Sequence, residues 1–405
     1  MEIFLVATPW DVISSLLVFL CGLAVTLRIG RRLKLPIRRA TLLYVWHTLF
    51  CYVYADYVQK NLGDAVYYYL SSLHGTIDFK LGTESIRYLT TFLSQGLGLS
   101  FLGASLAYHI PGSIGLLLMD ASLRQATAQK SQTIRRLATA IVFLPSISFW
   151  SAGIGKDSLA FMATCLALWA ALELRRRVIP MAAAVLIMLT VRPHMAGLLI
   201  VALAASLLVQ KKSSLGQRLV LGGAAIAAAL VITPIAVKYA GLSPDASSRD
   251  VAAYFEQRQR YNLEGGGGVD IAHMNTPMKL YTYLFRPMPF EARSLFALAA
   301  SVDNVLLLTL FVAGAASSLR RKARHLTGNR SFMWVYSTMG WLILAFSTAN
   351  LGISMRQKWM IAPMLIYLLI SLIGKDRRTA PVMPKGLHLP ARPLPGPARY
   401  PSLPN

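Results

Sequence analysis

Apolar runs of bilayer length alternate along this chain with short, densely basic connectors. The first run, residues 12–27, is followed by RIGRRLKLPIRR, and the second covers residues 40–57. A third, 97–123, is interrupted by Pro111 and descends to Arg124, Lys130, Arg135 and Arg136. Two hairpins come next: residue 137 to a turn at Lys156 and back to Arg175, Arg176 and Arg177, then 178 to Arg192 and back to Lys211 and Lys212. Runs at 219–235, 295–319, 333–350 and 359–373 bring the total to about eleven. In hydrocarbon a backbone must satisfy its own hydrogen bonds, and an apolar run of this length does so as a helix. The pattern predicts an all-α polytopic integral membrane protein.

Lysine and arginine mark cytoplasmic connectors. The chain therefore starts outside and finishes inside, with external loops at 56–96 and 238–294. The first loop, aromatic and mixed in charge, reads as short interfacial helices. The arm from 178 to Arg192 is only about 22 Å long at 1.5 Å per residue, which sets Arg192 and His194 below the outer surface. Pro145 and Pro193 lie beside the two hairpin turns, where broken helices leave backbone facing a cavity. Residues 1–11 have no basic region ahead of the first run, so this span is expected to stay attached. Residues 1–375 form one transmembrane domain; 376–405, rich in proline and arginine, form a disordered or polyproline-like cytoplasmic tail.

Composition narrows the function classes. The chain is 55% hydrophobic and 14% charged, with mean hydropathy +0.51, against about 25% charged in soluble domains. Its net charge of +24 sits in runs between apolar segments rather than on one basic face, which argues for topology determinants and against nucleic acid. Cys21, Cys51 and Cys165 all fall in apolar runs without metal-ligand spacing. No Walker loop, Rossmann fingerprint or HExxH pair occurs. The lack of an obvious internal repeat disfavours repeat-built transporter folds.

The chemistry concentrates in residues 143–162, FLPSISFWSAGIGKDSLAFM, where Lys156 and Asp157 interrupt an apolar stretch. A charge at a bilayer centre costs roughly 2.5–3.5 kcal/mol and less near the edge, so it is kept with a partner or for a task. The two readings here are a self-neutralising pair whose aspartate caps the next helix, and a ligand site approached through small residues. The predicted topology collects Asp56, Asp64, Lys156, Asp157, Arg192, His194, Arg286, Glu291, Arg293, Arg356 and Lys358 at the outer face. Separated cations in aromatic, apolar surroundings suit a phosphate or diphosphate on a lipid carrier; alternatively they pair with Asp157, Glu291 or lipid headgroups and anchor helix ends. Asp64 reads either as a helix N-cap or as a base for a sugar hydroxyl. The tyrosines at 67–69 read as headgroup-level anchors or sugar-stacking rings. Asp303, just inside a span, is expected to pair with a neighbouring arginine.

The order GDA-x-x-Y, LPS-x-x-FWS-x-x-x-GKD, VRPH, LFRPMPFEA and MRQKWM-x-x-P resembles the multi-pass proteins of bacterial exopolysaccharide, capsule and O-antigen gene clusters. Those are similar to C-type (GT-C) membrane glycosyltransferases and to polysaccharide polymerases. The resemblance covers about residues 52–363. It implies a GT-C-like fold with periplasmic loop helices, in the bacterial inner membrane. It further implies glycosyl transfer at the periplasmic face from a polyprenyl phosphate or diphosphate to a glycan acceptor, among membrane lipids and other polysaccharide assembly proteins. Asp64 is then the base, with Asp56 as understudy, and Lys156, Asp157, Arg192, His194, Arg286, Glu291, Arg356 and Lys358 hold the lipid phosphate and substrate. No organic cofactor is implied, and a divalent cation stays open, because this loop has one aspartate in GDA where many C-type enzymes carry an acidic pair. The competing classes are a lipid-linked glycan translocase, which needs charges on both faces and within the membrane, and a non-catalytic assembly subunit.

Overall fold

The computed structural model of the chain describes residues 5–61, 63–75, 77–209, 247–263, 267–319 and 329–374, with isolated positions between 216 and 241. The expected span at 219–235 is described only in part, with helical positions between 222 and 235; Lys211, Lys212 and the tail 376–405 lie wholly outside the described residues. Among the described residues all regular structure is helical, apart from an isolated bridge between Gly268 and Asn350. In chain order the helices are α1 (Pro9–Arg32), α2 (Ile37–Lys60), α3 (Asp64–Ser72), α4 (Thr83–Thr91), α5 (Phe101–Thr127), α6 (Gln132–Val142), α7 (Pro145–Trp150) and α8 (Lys156–Leu172). They continue as α9 (Val178–Val191), α10 (Pro193–Val209), α11 (Ser248–Leu263), α12 (Thr276–Phe285), α13 (Leu295–Leu319), α14 (Arg330–Ser347), α15 (Leu351–Gln357) and α16 (Ala362–Leu372).

Three of these, α1, α5 and α13, are long and apolar enough to cross a membrane, and α9, α10 and α16 are shorter apolar helices. Within the apolar window of α5, 72% of residues are buried, against 22% in α1 and 33% in α13. That difference makes α5 the axle of the bundle, packed by α1, α2, α6, α8 and α16, with α1 and α13 presenting apolar side chains outward. Small residues let the axle's neighbours approach closely, as in membrane bundles generally. Gly115 faces the Phe161 ring, and Gly112 lies under the Ser151 carbonyl and beside the His47 ring.

The bundle has two chemically different ends. Arg39 near the start of α2 and Tyr54 near its finish are about 22 Å apart at 1.5 Å per residue, and they mark those ends. At the Arg39 end, cations close helix C-termini. Lys130 Nζ donates to the Ser371 and Gly374 carbonyls, Arg330 to Leu368 O and Ser371 Oγ, and Arg177 to Trp169 O while stacking 3.8 Å over that indole. Carbonyls of a last turn have no helical donor, and the dipole favours positive charge there. At the Tyr54 end the helices break instead. The residue before a proline avoids helical geometry, and α9 stops at Val191 ahead of Arg192-Pro193 while α6 gives way to α7 ahead of Pro145.

Three expectations need correction. Pro111 does not interrupt its span: α5 runs through it, giving up one ladder bond inside a closely packed axle. The arm expected at nearly full bilayer length from 137 to 156 is two shorter pieces, α6 and α7, which part at the Pro145 break and are followed by a turn. The connector LGISMRQK is not a plain external loop, because α15 and the following turn carry Lys358 and Trp359 into the bundle, where they are 1% and 3% exposed.

Gly112→Ala tests the close approach around α5. Alanine ordinarily favours a helix over glycine by up to about 1 kcal/mol, but here the new methyl would press into the Ser151 carbonyl oxygen and stand 2.7 Å from His47 Cε1. The expected outcome is a loss of roughly 1–3 kcal/mol, seen as a lower thermal midpoint of the detergent-solubilised protein. An unchanged or raised midpoint would show that the α5–α7 contact is looser.

Candidate functional site

The turn at residues 151–155 delivers Lys156 and Asp157 as the first residues of α8. Gly155, the residue ahead of α8, has φ 155° and ψ 179°, a combination essentially reserved for glycine. Gly153 lies flat against the Tyr54 ring, where no side chain fits. The small residues of SAGIG are thus needed by the turn that opens α8. Asp157 does not cap the helix: it sits in the first turn, makes no capping bond, and its charge is favoured there by the free N–H groups.

From Asp157 an ionic chain runs through four segments. Its Oδ1 accepts from Arg192 Nη2 at 2.8 Å, out of the break between α9 and α10. Its Oδ2 stands 3.1 Å from Arg356 Nε on α15, an ion pair whose N–H is not aimed at the oxygen. Arg356 Nη1 then donates to Asp64 Oδ2 at 2.9 Å, at the start of α3. Asp64 is therefore not an N-cap; Gly63 holds that position and Asp64 points at Arg356. Exposure rises along the chain, with Asp157 17% and Asp64 57% accessible, so Asp64 is the carboxylate that an incoming molecule meets. Lys156 Nζ donates to Thr83 Oγ1 at 2.7 Å, tying α8 to α4. In turn α4 is fixed to α9, since Gly82 N and Ser85 Oγ both donate to Thr190 O.

These residues line one cavity of about 250 Å³ at the Tyr54 end. Asp64, Lys156, Asp157, Arg192, His194 and Arg356 all reach it. Tyr54 and Tyr68 form part of its wall, while the anticipated Tyr67 is exposed and lies near Arg87 instead. Part of the wall comes from α11, a helix with no counterpart in the reading of the sequence, which contributes Tyr254, Arg258 and Asn262. This helix is stitched to the end of α14: Gln259 Nε2 donates to Phe346 O, Asn262 Nδ2 to Ser347 O, and Asn350 Nδ2 to Asn262 O. The only signal for it was SRDVAAYFEQRQRYNL, polar enough to pass for a loop.

Four candidates stand elsewhere. Asp56 pairs with Lys60 one turn away on an exposed face of α2. Arg286 and Glu291 clip each other at 2.6 Å, and the Met288 N–H also donates to Glu291. Burial alone would raise the Glu291 carboxyl, but Arg286 and that N–H outweigh it and hold it below the usual glutamate range. Lys358 is buried with its Nζ on Asn304 Oδ1, whose side-chain amide donates to Pro287 O. Asp303, beside it, accepts from Ser146 Oγ, and the cation acting on it is Lys358 rather than an arginine.

Among the described residues no three His, Cys, Asp or Glu side chains gather to hold a metal. The two carboxylates of the cavity share Arg356 between them, so the residues present do not fit a resident divalent cation. The arrangement fits an anion better: Lys156, Arg192, Arg258 and Arg356 face Asp64 and Asp157.

Asp157→Asn removes the centre of the ionic chain and leaves two largely enclosed guanidiniums facing each other. Breaking such a pair costs about 3–5 kcal/mol, so a clear drop in the thermal midpoint is expected, whereas Asp56→Asn at an exposed pair stays within about 0.5 kcal/mol. Equal effects at the two positions would remove Asp157 from the centre of the fold. In comparisons with known proteins, no family model, no curated protein and no solved structure matches this chain.

Proposed function

We propose that this chain is a glycosyltransferase or polymerase of bacterial exopolysaccharide, capsule or O-antigen assembly, acting at the periplasmic face on sugars carried by polyprenyl phosphate or diphosphate. The observation that carries the reading is one cavity in which an accessible carboxylate, Asp64, shares space with Lys156, Arg192, Arg258 and Arg356. A neutral ligand would not need four cations, and a soluble anion would not need a site among apolar helices. The reading takes the arginine-rich end as cytoplasmic. The cavity then opens outward, in a GT-C-like bundle of about eleven spans with the N-terminus outside and the C-terminus inside.

The mechanism follows from how the charges are shared. In the resting protein Arg356 holds Asp64. A carrier phosphate offers Arg356 a bidentate partner, which releases Asp64 to accept the proton of the attacking hydroxyl. The acceptor oxygen bonds to the anomeric carbon as the bond from that carbon to the phosphate oxygen breaks. The electron pair leaves with the phosphate, where Arg192, Arg356 and Lys156 stabilise the added charge. Tyr54 and Tyr68 stand in the wall beside which the sugar is held. If the leaving group is a diphosphate, departure is easier and the arginines carry more of the rate than Asp64.

The test is made in cells that hold the wild type, a deletion, or the variants Asp64→Asn, Lys156→Ala and Arg356→Gln at equal abundance. Carrier-linked glycans are extracted and their masses read beside secreted polymer. Losing a base lowers turnover by about 10²–10⁴-fold, so the point variants are expected to accumulate the same carrier-linked precursor as the deletion. A precursor short by one sugar identifies a single-sugar transferase, and complete repeat units identify a polymerase. Normal precursors in all three variants, with abnormal ones in the deletion, would overturn the site and favour a translocase or an assembly subunit.

A further inference from the structure

A second cavity, of about 410 Å³, lies at the opposite end of the bundle from the ionic chain, where α2 begins, α5 ends and α6 begins. Its wall includes Arg39, Arg124, Arg135 and Arg136. Only one acidic group among the described residues meets this set: Asp120, which Arg39 holds through two bonds of 2.5 and 2.7 Å. Arg39 also donates to Thr139 Oγ1, so this guanidinium is fixed in the wall. Arg135 donates to Gln132 Oε1, and Arg124 and Arg136 have no acidic partner among the described residues. Topology alone asks for arginines on this side of a membrane, but does not ask them to converge on a concavity.

The surroundings indicate what kind of anion fits. Apolar Ile134, Ala138, Ile141 and Val142 of α6 are buried in the bundle while Arg135 and Arg136 remain accessible, so α6 lies with its basic face beside the cavity. On α2, starting one turn from Arg39, Leu42, Val45 and Leu49 form an exposed apolar stripe, each of them 50% or more accessible. A phosphate in the cavity with acyl chains along that stripe satisfies both features; a free phosphate uses only the first. Basic pockets between transmembrane helices suit lipid phosphates in this way.

We propose that this cavity binds the phosphodiester headgroup of an anionic membrane lipid, its acyl chains lying along Leu42, Val45 and Leu49. The site is independent of the reading given to the other cavity. Its function is to pin the start of α2 and the α5–α6 turn to the membrane surface.

The test uses the full chain in nanodiscs of phosphatidylcholine with a minor fraction of phosphatidylglycerol, measuring the phosphatidylglycerol that stays with the protein after exchange into detergent. Wild type is expected to retain it, and the double variant R124Q/R136Q to lose about tenfold. A second double variant, R28Q/R38Q, removes equal charge from exposed positions outside the cavity and is expected to retain the lipid. Equal losses in both double variants, or none in either, would overturn the site. A parallel arm adds inorganic phosphate without anionic lipid: thermal protection of the wild type matching that given by phosphatidylglycerol would replace the lipid by a soluble anion.

Discussion

The Asp157 carboxylate between Arg192 and Arg356 is the interaction on which the rest of the structure depends. Enclosed ions are costly to desolvate and are tolerated only with close partners. Here the partners come from three helix breaks: the opening of α8 after the glycine turn, the Arg192-Pro193 stop, and the short α15. Each break exposes backbone groups that would be expensive in hydrocarbon. Gathering them round one cavity lets the ionic chain and the loop helices α3, α4 and α11 satisfy them together.

The same chain sets the electrostatics of the cavity. Asp157 is engaged on both oxygens and acts as a fixed counter-charge, whereas Asp64 meets a single guanidinium and is more than half accessible. Two carboxylates of one residue type therefore differ in pairing and exposure through their surroundings. At the far end the balance is different: arginines and a lysine close helix termini, Asp120 pairs with Arg39, and no chain of alternating charge forms among the described residues. A cavity of mixed charge at one end and a mainly basic other end make the two ends of the bundle chemically different.

Much of this was legible in the sequence because apolar periodicity and proline breaks act locally. The helical class, the shortness of the arm ending at Arg192, the break at Pro145 and the grouping of Lys156, Asp157, Arg192, His194, Arg356 and Asp64 could all be read from the chain. What could not be read depends on distant partners. Arg356 reaches Asp64 across 292 positions, so the ion pair that engages Asp64 was invisible in a residue that read as either a helix cap or a base. Arg286 and Glu291 are consumed by each other five residues apart, and Lys358 is drawn inward by Asn304, although by type and position they resembled Arg356. The helix α11 escaped notice because its pattern is polar, its place being fixed by amides that bond the exposed carbonyls at the end of α14.

The central claim is that one cavity separates anion binding, through Arg192 and Arg356, from proton acceptance, through Asp64. The most direct measurement is the affinity of the purified chain, in nanodiscs, for a polyprenyl phosphate added as the product-like ligand, compared across wild type, R192Q, R356Q and D64N. The account predicts that both arginine variants bind at least about tenfold more weakly, the share of one charge-assisted bidentate contact, while Asp64→Asn, which removes the competing partner of Arg356, binds at least as well as wild type. Wild-type affinity in both arginine variants, or no binding by the wild type, would contradict it.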